Sequence, residues 1–76
     1  MGGNGYRFKQ CRVEAGLKQS VAAKMAGISQ QAISAYETGA REPLVTAIIA
    51  LARAYDVSTD YLLGITDERA PFPRGE

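Results

Sequence analysis

Apolar residues recur at helical spacing along most of the chain, and glycines interrupt the pattern at intervals. From Tyr6 to Ala15, the residues Phe8, Cys11, Arg12 and Ala15 fall three and four apart, which predicts a first helix with those positions on one face. Gly16 suits its end, because glycine tolerates the left-handed conformation that closes helices. A second helix is predicted from Lys18 to Ala26, with Val21, Ala22 and Met25 sharing a side and Gly27 as its stop. The Ser29 hydroxyl can accept a free backbone N–H and so cap a third helix running to about Thr38. The stretch from Thr38 to Pro43 reads as a loop. Pro43 suits the first position of a fourth helix reaching about Tyr55, since its fixed φ and missing N–H cost nothing there. Asp56-Val57-Ser58 breaks the pattern, and Ser58 or Thr59 starts a short fifth helix ending at Gly64. No segment alternates with a period of two. The expected fold is therefore all-α, a compact bundle of five short helices. Residues 1–5 are expected to form a flexible arm, residues 6–65 the domain and residues 66–76 a tail or linker.

Composition narrows the function classes. The 76 residues are 46% hydrophobic and 22% charged, enough for one small core and ordinary for a folded domain. A single cysteine, Cys11, cannot form an internal disulfide, and on the apolar face of the first helix it reads as a small core residue. The longest apolar stretch, Leu44 to Ala52, is too short to span a bilayer. The opening Met1-Gly2-Gly3-Asn4-Gly5 has neither the basic nor the apolar region of a signal peptide. A cytoplasmic protein is the expectation. With no histidine, no ligand cluster for a metal, no activated nucleophile and no glycine-rich phosphate loop, no catalytic residue, metal or cofactor is assigned, and an enzyme is a distant third choice.

Charge adds direction. Residues 1–41 carry six cations against two carboxylates, whereas residues 42–76 carry three against six. A nucleic-acid-binding face backed by an acidic side would have that polarity, although short chains often acquire it by chance.

The informative segment runs from Gln19 to Tyr36. Two helices joined by a tight turn near a right angle need a small residue midway along the first, and Ala23 provides it. The turn needs backbone outside the right-handed region, and Gly27 provides that. Apolar residues must lock the pair, and Ala22, Ala26, Ile28, Ile33 and Tyr36 are correctly placed. Together with Arg7-Phe8-Lys9, Gly16-Leu17-Lys18-Gln19, Gly27-Ile28-Ser29, Ile33-Ser34, Tyr36-Glu37, Gly39, Arg41-Glu42-Pro43 and Asp60-Tyr61-Leu62-Leu63-Gly64, these positions make residues from about 7 to 67 resemble the xenobiotic-response-element and lambda-repressor-like (Cro/C1-type) helix-turn-helix domains.

The resemblance implies that the third helix enters the major groove of double-stranded DNA by its N-terminal residues. The implied base-reading positions are Gln30, Gln31, Ser34 and Ala35. Glutamine can pair bidentately with adenine, so two adjacent glutamines favour A·T-containing half-sites. Gln19 resembles the family's phosphate-binding glutamine; Ser29, Arg41, Lys18 and Lys24 are further phosphate candidates, each adding salt sensitivity. Adjacent glutamines on an exposed helix are more often merely solvated, and only the helix-turn-helix frame tips them toward base contact. Lys18 and Lys24 stay closer to ordinary solvated lysines even within that frame. Arg12 and Glu37 resemble the family's internal ion pair between the first and third helices, a structural feature. The sequence also departs from the pattern. Ala35 lies where relatives often carry Arg or Gln, Thr38 and Ala40 replace basic or amide residues, and Lys18 replaces a Ser or Thr cap worth about 1 kcal/mol. Modest affinity per monomer follows, so specific binding is expected to need two copies on a two-fold operator.

The fourth helix is apolar nearly all round: from Leu44 to Ala54 only Thr46 and Arg53 are polar. Two readings stand. Alanine makes much of the stretch a good helix former, or Leu44, Ile48 and Ile49 present a partner surface. The family resemblance places dimer contacts near the fourth and fifth helices, here around Val57, Tyr61, Leu62 and Ile65, and a homodimer is expected. The leading function is a sequence-specific transcription regulator, either a whole small repressor or the DNA-binding half of a longer one divided after Asp67. The competing function is a protein-interaction module, such as an antitoxin, gripping another protein through the fourth helix; the absence of basic residues at positions 35, 38 and 40 favours it.

Overall fold

Local signals end each helix where the backbone must change hand. The computed structural model describes residues 3–70, which form α1 (Gly3–Glu14), α2 (Gln19–Ala26), α3 (Gln30–Thr38), α4 (Val45–Tyr55) and α5 (Thr59–Leu62), with no strand among the described residues. Gly27 closes α2 at φ 72°, ψ 30°, in the left-handed region where a side chain would be strained. Its turn brings the Ile28 N–H back to the Ala23 carbonyl at 3.1 Å. Ser29 then caps α3, its Oγ accepting from the Ala32 N–H at 3.0 Å, and Ser58 caps α5 in the same way. Lys18 and Leu44 occupy the capping positions of α2 and α4 without a side-chain bond. Pro43 therefore lies one residue before the cap of α4, not at its expected first position.

The core is assembled from all five helices and their joints. Phe8 and Cys11 of α1, Ala22 and Ala23 of α2, Ala32, Ile33 and Tyr36 of α3, and Leu51 and Tyr55 of α4 are buried together. The α1–α3 and α2–α4 pairs make the most extensive contacts. Burial pushes the Cys11 thiol up to about 11, so it stays protonated and unreactive near neutral pH. In α2 the buried side is Ala22 and Ala23, while Val21 and Met25 are exposed. The expected grouping of Val21 and Met25 with Ala22 is corrected because α2 packs between α3 and α4 through its small residues. Ala15 is likewise exposed.

Both ends depart from the expected arm and tail. Helix α1 begins at Gly3, so residues 3–5 are helical. Gly5 is buried against the end of α3: a Cβ there would lie 2.8 Å from the Glu37 carbonyl oxygen and 3.0 Å from that of Tyr36. Those neighbours are backbone and cannot swing aside. Alanine normally stabilises a helix over glycine by about 0.5–1 kcal/mol. Gly5→Ala should instead destabilise by about 1–3 kcal/mol through overpacking. Its melting temperature should fall in a thermal scan; a rise would show that α1 can withdraw from α3 without loss.

At the other end, residues 66–69 fold back over α5 and α1. The Ser58 N–H donates to the Arg69 carbonyl at 2.9 Å and its Oγ to that of Glu68 at 3.2 Å. Arg7 donates through Nη1 to the carbonyls of Tyr61 and Thr66, and its guanidinium stacks 4.2 Å from the centre of the Tyr61 ring. The remainder of the expected tail, residues 71–76, and the first two residues of the expected arm lie outside the described residues.

Candidate nucleic-acid interface

The start of α3 sets out the predicted base-reading residues. Gln30 and Gln31 are exposed in its first turn, and Ser34, half-buried, follows one turn on. Together with Gln19 at the start of α2, these three line an open depression. Neither α2 nor α3 has an acidic residue in its first turn, so the positive ends of both helix dipoles are left uncompensated at this surface. Ala35 is half-buried and does not line the depression. Ser29, exposed, spends its hydroxyl on the cap of α3. Lys18 is exposed at the cap of α2 beside Gln19. Arg41 is exposed just beyond α3, where the left-handed turn at Gly39 lets the Ala40 and Arg41 N–H groups both reach the Ala35 carbonyl. Lys24 is exposed on α2 but lies outside the depression.

Behind this surface Arg12 and Glu37 form an ion pair. Arg12 Nε donates to Glu37 Oε2 at 2.6 Å and Nη2 donates to Oε1 at 3.1 Å. Nη1 donates to the Leu17 carbonyl at 2.9 Å, tying the α1–α2 turn to the same group. The two side chains are 12% and 5% exposed. The hydrogen bond that Arg12 donates to Glu37 raises the Arg12 pKa, so the guanidinium stays charged. Gln19 Nε2 also donates to Glu37 Oε1 at 3.1 Å, and Gln30 Nε2 donates to Gln19 Oε1 at 3.4 Å. Sequence reasoning assigned Glu37 only to the ion pair. Its bond to Gln19 joins residues 18 apart in the chain, which no local spacing announces.

A family profile described as helix-turn-helix matches residues 8–62. The chain belongs to the helix-turn-helix family. This helix-turn-helix protein is 42% identical over 60 residues to the HTH-type transcriptional regulator ImmR of Bacillus subtilis (strain 168), covering 79% of this chain and 47% of that protein. It is 37% identical over 65 residues to the uncharacterized HTH-type transcriptional regulator YobD of the same strain, covering 86% and 58%. The chain thus spans about half the length of these relatives. Its fold superimposes on the P22 c2 repressor, solved in complex with a synthetic operator, with a TM-score of 0.77 at 35% identity, covering 83% of this chain and 96% of that one. The all-helical, lambda-repressor-like architecture expected from the sequence is the one observed.

The expected partner surface divides. Leu44 and Ile65 are about 70% exposed and Ile49 is 41% exposed, whereas Ile48 is half-buried against the core. Val57, Tyr61 and Leu62 are buried in the core, and their assignment to a dimer surface is corrected. A helix of one turn, such as α5, has no second face to spare: its apolar residues are consumed in packing on α1 and α4. Among the described residues no group of three potential ligands could hold a metal ion, and no helix is long and apolar enough to cross a membrane.

Proposed function

We propose that this chain binds double-stranded DNA sequence-specifically as a transcriptional regulator, with the start of α3 in the major groove. The reading is carried by the depression that gathers Gln19, Gln30, Gln31 and Ser34 between two helix N-termini free of acidic residues. Amides and a hydroxyl suit base edges, and uncompensated helix N-termini suit phosphates. The solved operator complex of the similar P22 c2 repressor supports the same class of partner. Gln30, Gln31 and Ser34 read bases, with A·T pairs favoured by the glutamines. Gln19, Lys18 and Arg41 contact phosphates. Ala35, Ser29 and Lys24 contribute less, Ala35 through its methyl group alone. The setting is the cytoplasm of a bacterium or of a phage-infected host.

Gln30→Ala and Gln31→Ala should each cost about 1–3 kcal/mol on the preferred site and relax selection at one base pair. Arg41→Ala should weaken all sequences alike and lower the salt slope by about 1. Selection from a random oligonucleotide pool, followed by binding titrations at several salt concentrations, tests both. An unchanged preferred site after both glutamine substitutions would refute base reading by α3.

The chain acts as a homodimer on a two-fold operator, through the exposed apolar residues Leu44, Ile49 and Ile65. Sedimentation equilibrium should show dimer, at least when operator DNA is present. Monomer alone at high concentration, with and without that DNA, would end the dimer proposal. The exposed Leu44 and Val45 at the start of α4 also favour a second reading, in which this face grips a different protein, as an antitoxin would. Binding of DNA that shows neither sequence preference nor salt dependence would favour that alternative.

A further inference from the structure

Resting on the reading of Gln30 as a base-reading residue, we infer that Glu37, held by Arg12, is a positioning residue that sets which way the Gln30 amide faces the base. The Glu37 carboxylate is buried between α1 and α3. A carboxylate paired with an arginine has acceptor sites only. Its oxygens take Arg12 Nε at 2.6 Å and Arg12 Nη2 at 3.1 Å, and Oε1 also takes Gln19 Nε2 at 3.1 Å. The end of the Gln19 amide that meets Glu37 must therefore be its NH2. The Gln19 oxygen is left facing Gln30, where it can only accept, and Gln30 must offer its own NH2, as it does at 3.4 Å; the second hydrogen of Gln19 Nε2 is not spent in this chain and is the one a phosphate would take. The polarity of the chain from Gln30 through Gln19 to Glu37 is fixed by the charge at its buried end.

This fixes what Gln30 shows to DNA. One hydrogen of Nε2 is committed to Gln19, so one donor hydrogen and the acceptor Oε1 remain side by side. The major-groove edge of adenine presents an acceptor, N7, beside a donor, N6. Guanine presents two acceptors, N7 and O6, and would set its O6 against Gln30 Oε1. An amide free to reverse would put its oxygen where its nitrogen belongs and lose this distinction. Among the described residues Gln31 takes no part in the chain, so its base preference should be independent of Glu37 and serves as an internal control.

The test compares base preferences of wild type and five variants on oligonucleotides in which each position of the selected site is changed in turn. Gln30→Ala first identifies the base pair that Gln30 reads. Glu37→Gln can present either amide end to Gln19. Arg12→Met combined with Glu37→Met removes both charges, leaving no uncompensated ion. Both should lower the preference at the Gln30 pair by about five-fold or more, with preference at the Gln31 pair and the salt slope unchanged. Gln19→Met leaves the ion pair whole and should show the same loss at the same pair. Because Glu37 reaches Gln30 only through Gln19, this variant can overturn the positioning role even if the Glu37 variants do not fold. Adding Glu37→Gln to Gln30→Ala should change no preference further. Wild-type preference at the Gln30 pair in a folded Glu37 variant, or in Gln19→Met, overturns the positioning role while leaving base reading intact. No change in any preference in Gln30→Ala would instead remove base reading by Gln30, and the positioning role with it.

Discussion

Glu37→Ala is expected to destabilise the domain by about 3–5 kcal/mol, and Arg12→Ala by a similar amount. Each substitution leaves its partner as a charged group with little access to water: Arg12 would keep only the Leu17 carbonyl, and Glu37 only the Gln19 amide. The cost is that of an unpaired buried ion and should not be equated with the net worth of the pair. Replacing both residues with methionine should consequently be less damaging than either single change to alanine. Domains of this size have a total stability of only about 4–11 kcal/mol, so each single variant should be partly unfolded at modest urea concentrations. Urea titrations at a common m-value measure this directly, as a shift of midpoint. A single-variant loss below about 1 kcal/mol would show that water reaches the pair in solution, since exposed pairs have that smaller effect.

Much of the fold was legible because its breaks are written in short-range chemistry. Ser29 and Ser58 cap the helices that follow them, and Gly27 and Gly39 take up the left-handed conformation that ends α2 and α3. Each signal depends only on neighbours within a few residues. The errors fall where distant contacts decide. Gly3, Asn4 and Gly5 have poor helix propensity, yet they belong to α1. Gly5 is needed there because α3 ends against it, and nothing within five residues reveals that neighbour. The stretch from Thr66 to Arg69 offers no apolar periodicity. It is held instead by backbone bonds to Ser58 and by Arg7, 59 residues away from Thr66.

The candidate interface was legible to a similar depth. Residue type and the helix-turn-helix spacing place Gln30, Gln31 and Ser34 on the exposed start of α3 and Gln19 beside them. Spacing does not distinguish exposed from buried residues in α5, because one turn of helix carries no periodicity. The family resemblance implies dimer contacts around Val57, in the joint before α5, and Tyr61 and Leu62 within it, yet all three are buried. Nor does sequence reveal that the structural carboxylate of Glu37 touches the interface through Gln19, because that bond joins two helices across the turn. Through Gln19 and Gln30, part of the reading surface is hydrogen-bonded to the scaffold's ion pair.

Phe8→Ala should be comparably severe, at about 3–5 kcal/mol, for a different reason. Phe8 is 2% exposed, and its ring lies 6.2 Å from that of Tyr36 with the planes inclined at 60°. Truncation removes the largest α1 contribution to the α1–α3 contact and leaves a cavity between two helices that also hold the Arg12–Glu37 pair. Contraction around the void is restricted because α1 already touches α3 backbone at Gly5. No DNA-facing atom is altered, so the variant should bind by folding first. A ligand at 100 times its dissociation constant stabilises the folded state by about 2.7 kcal/mol, enough to restore most of the folded population. Phe8→Ala should therefore melt at a much lower temperature alone, recover with the oligonucleotide selected by wild type, and show wild-type base preferences when saturated. A changed preference at the Gln30 or Gln31 pair would mean that α1 packing alters the pose of α3 itself, and that scaffold and reading surface cannot be separated even at this distance.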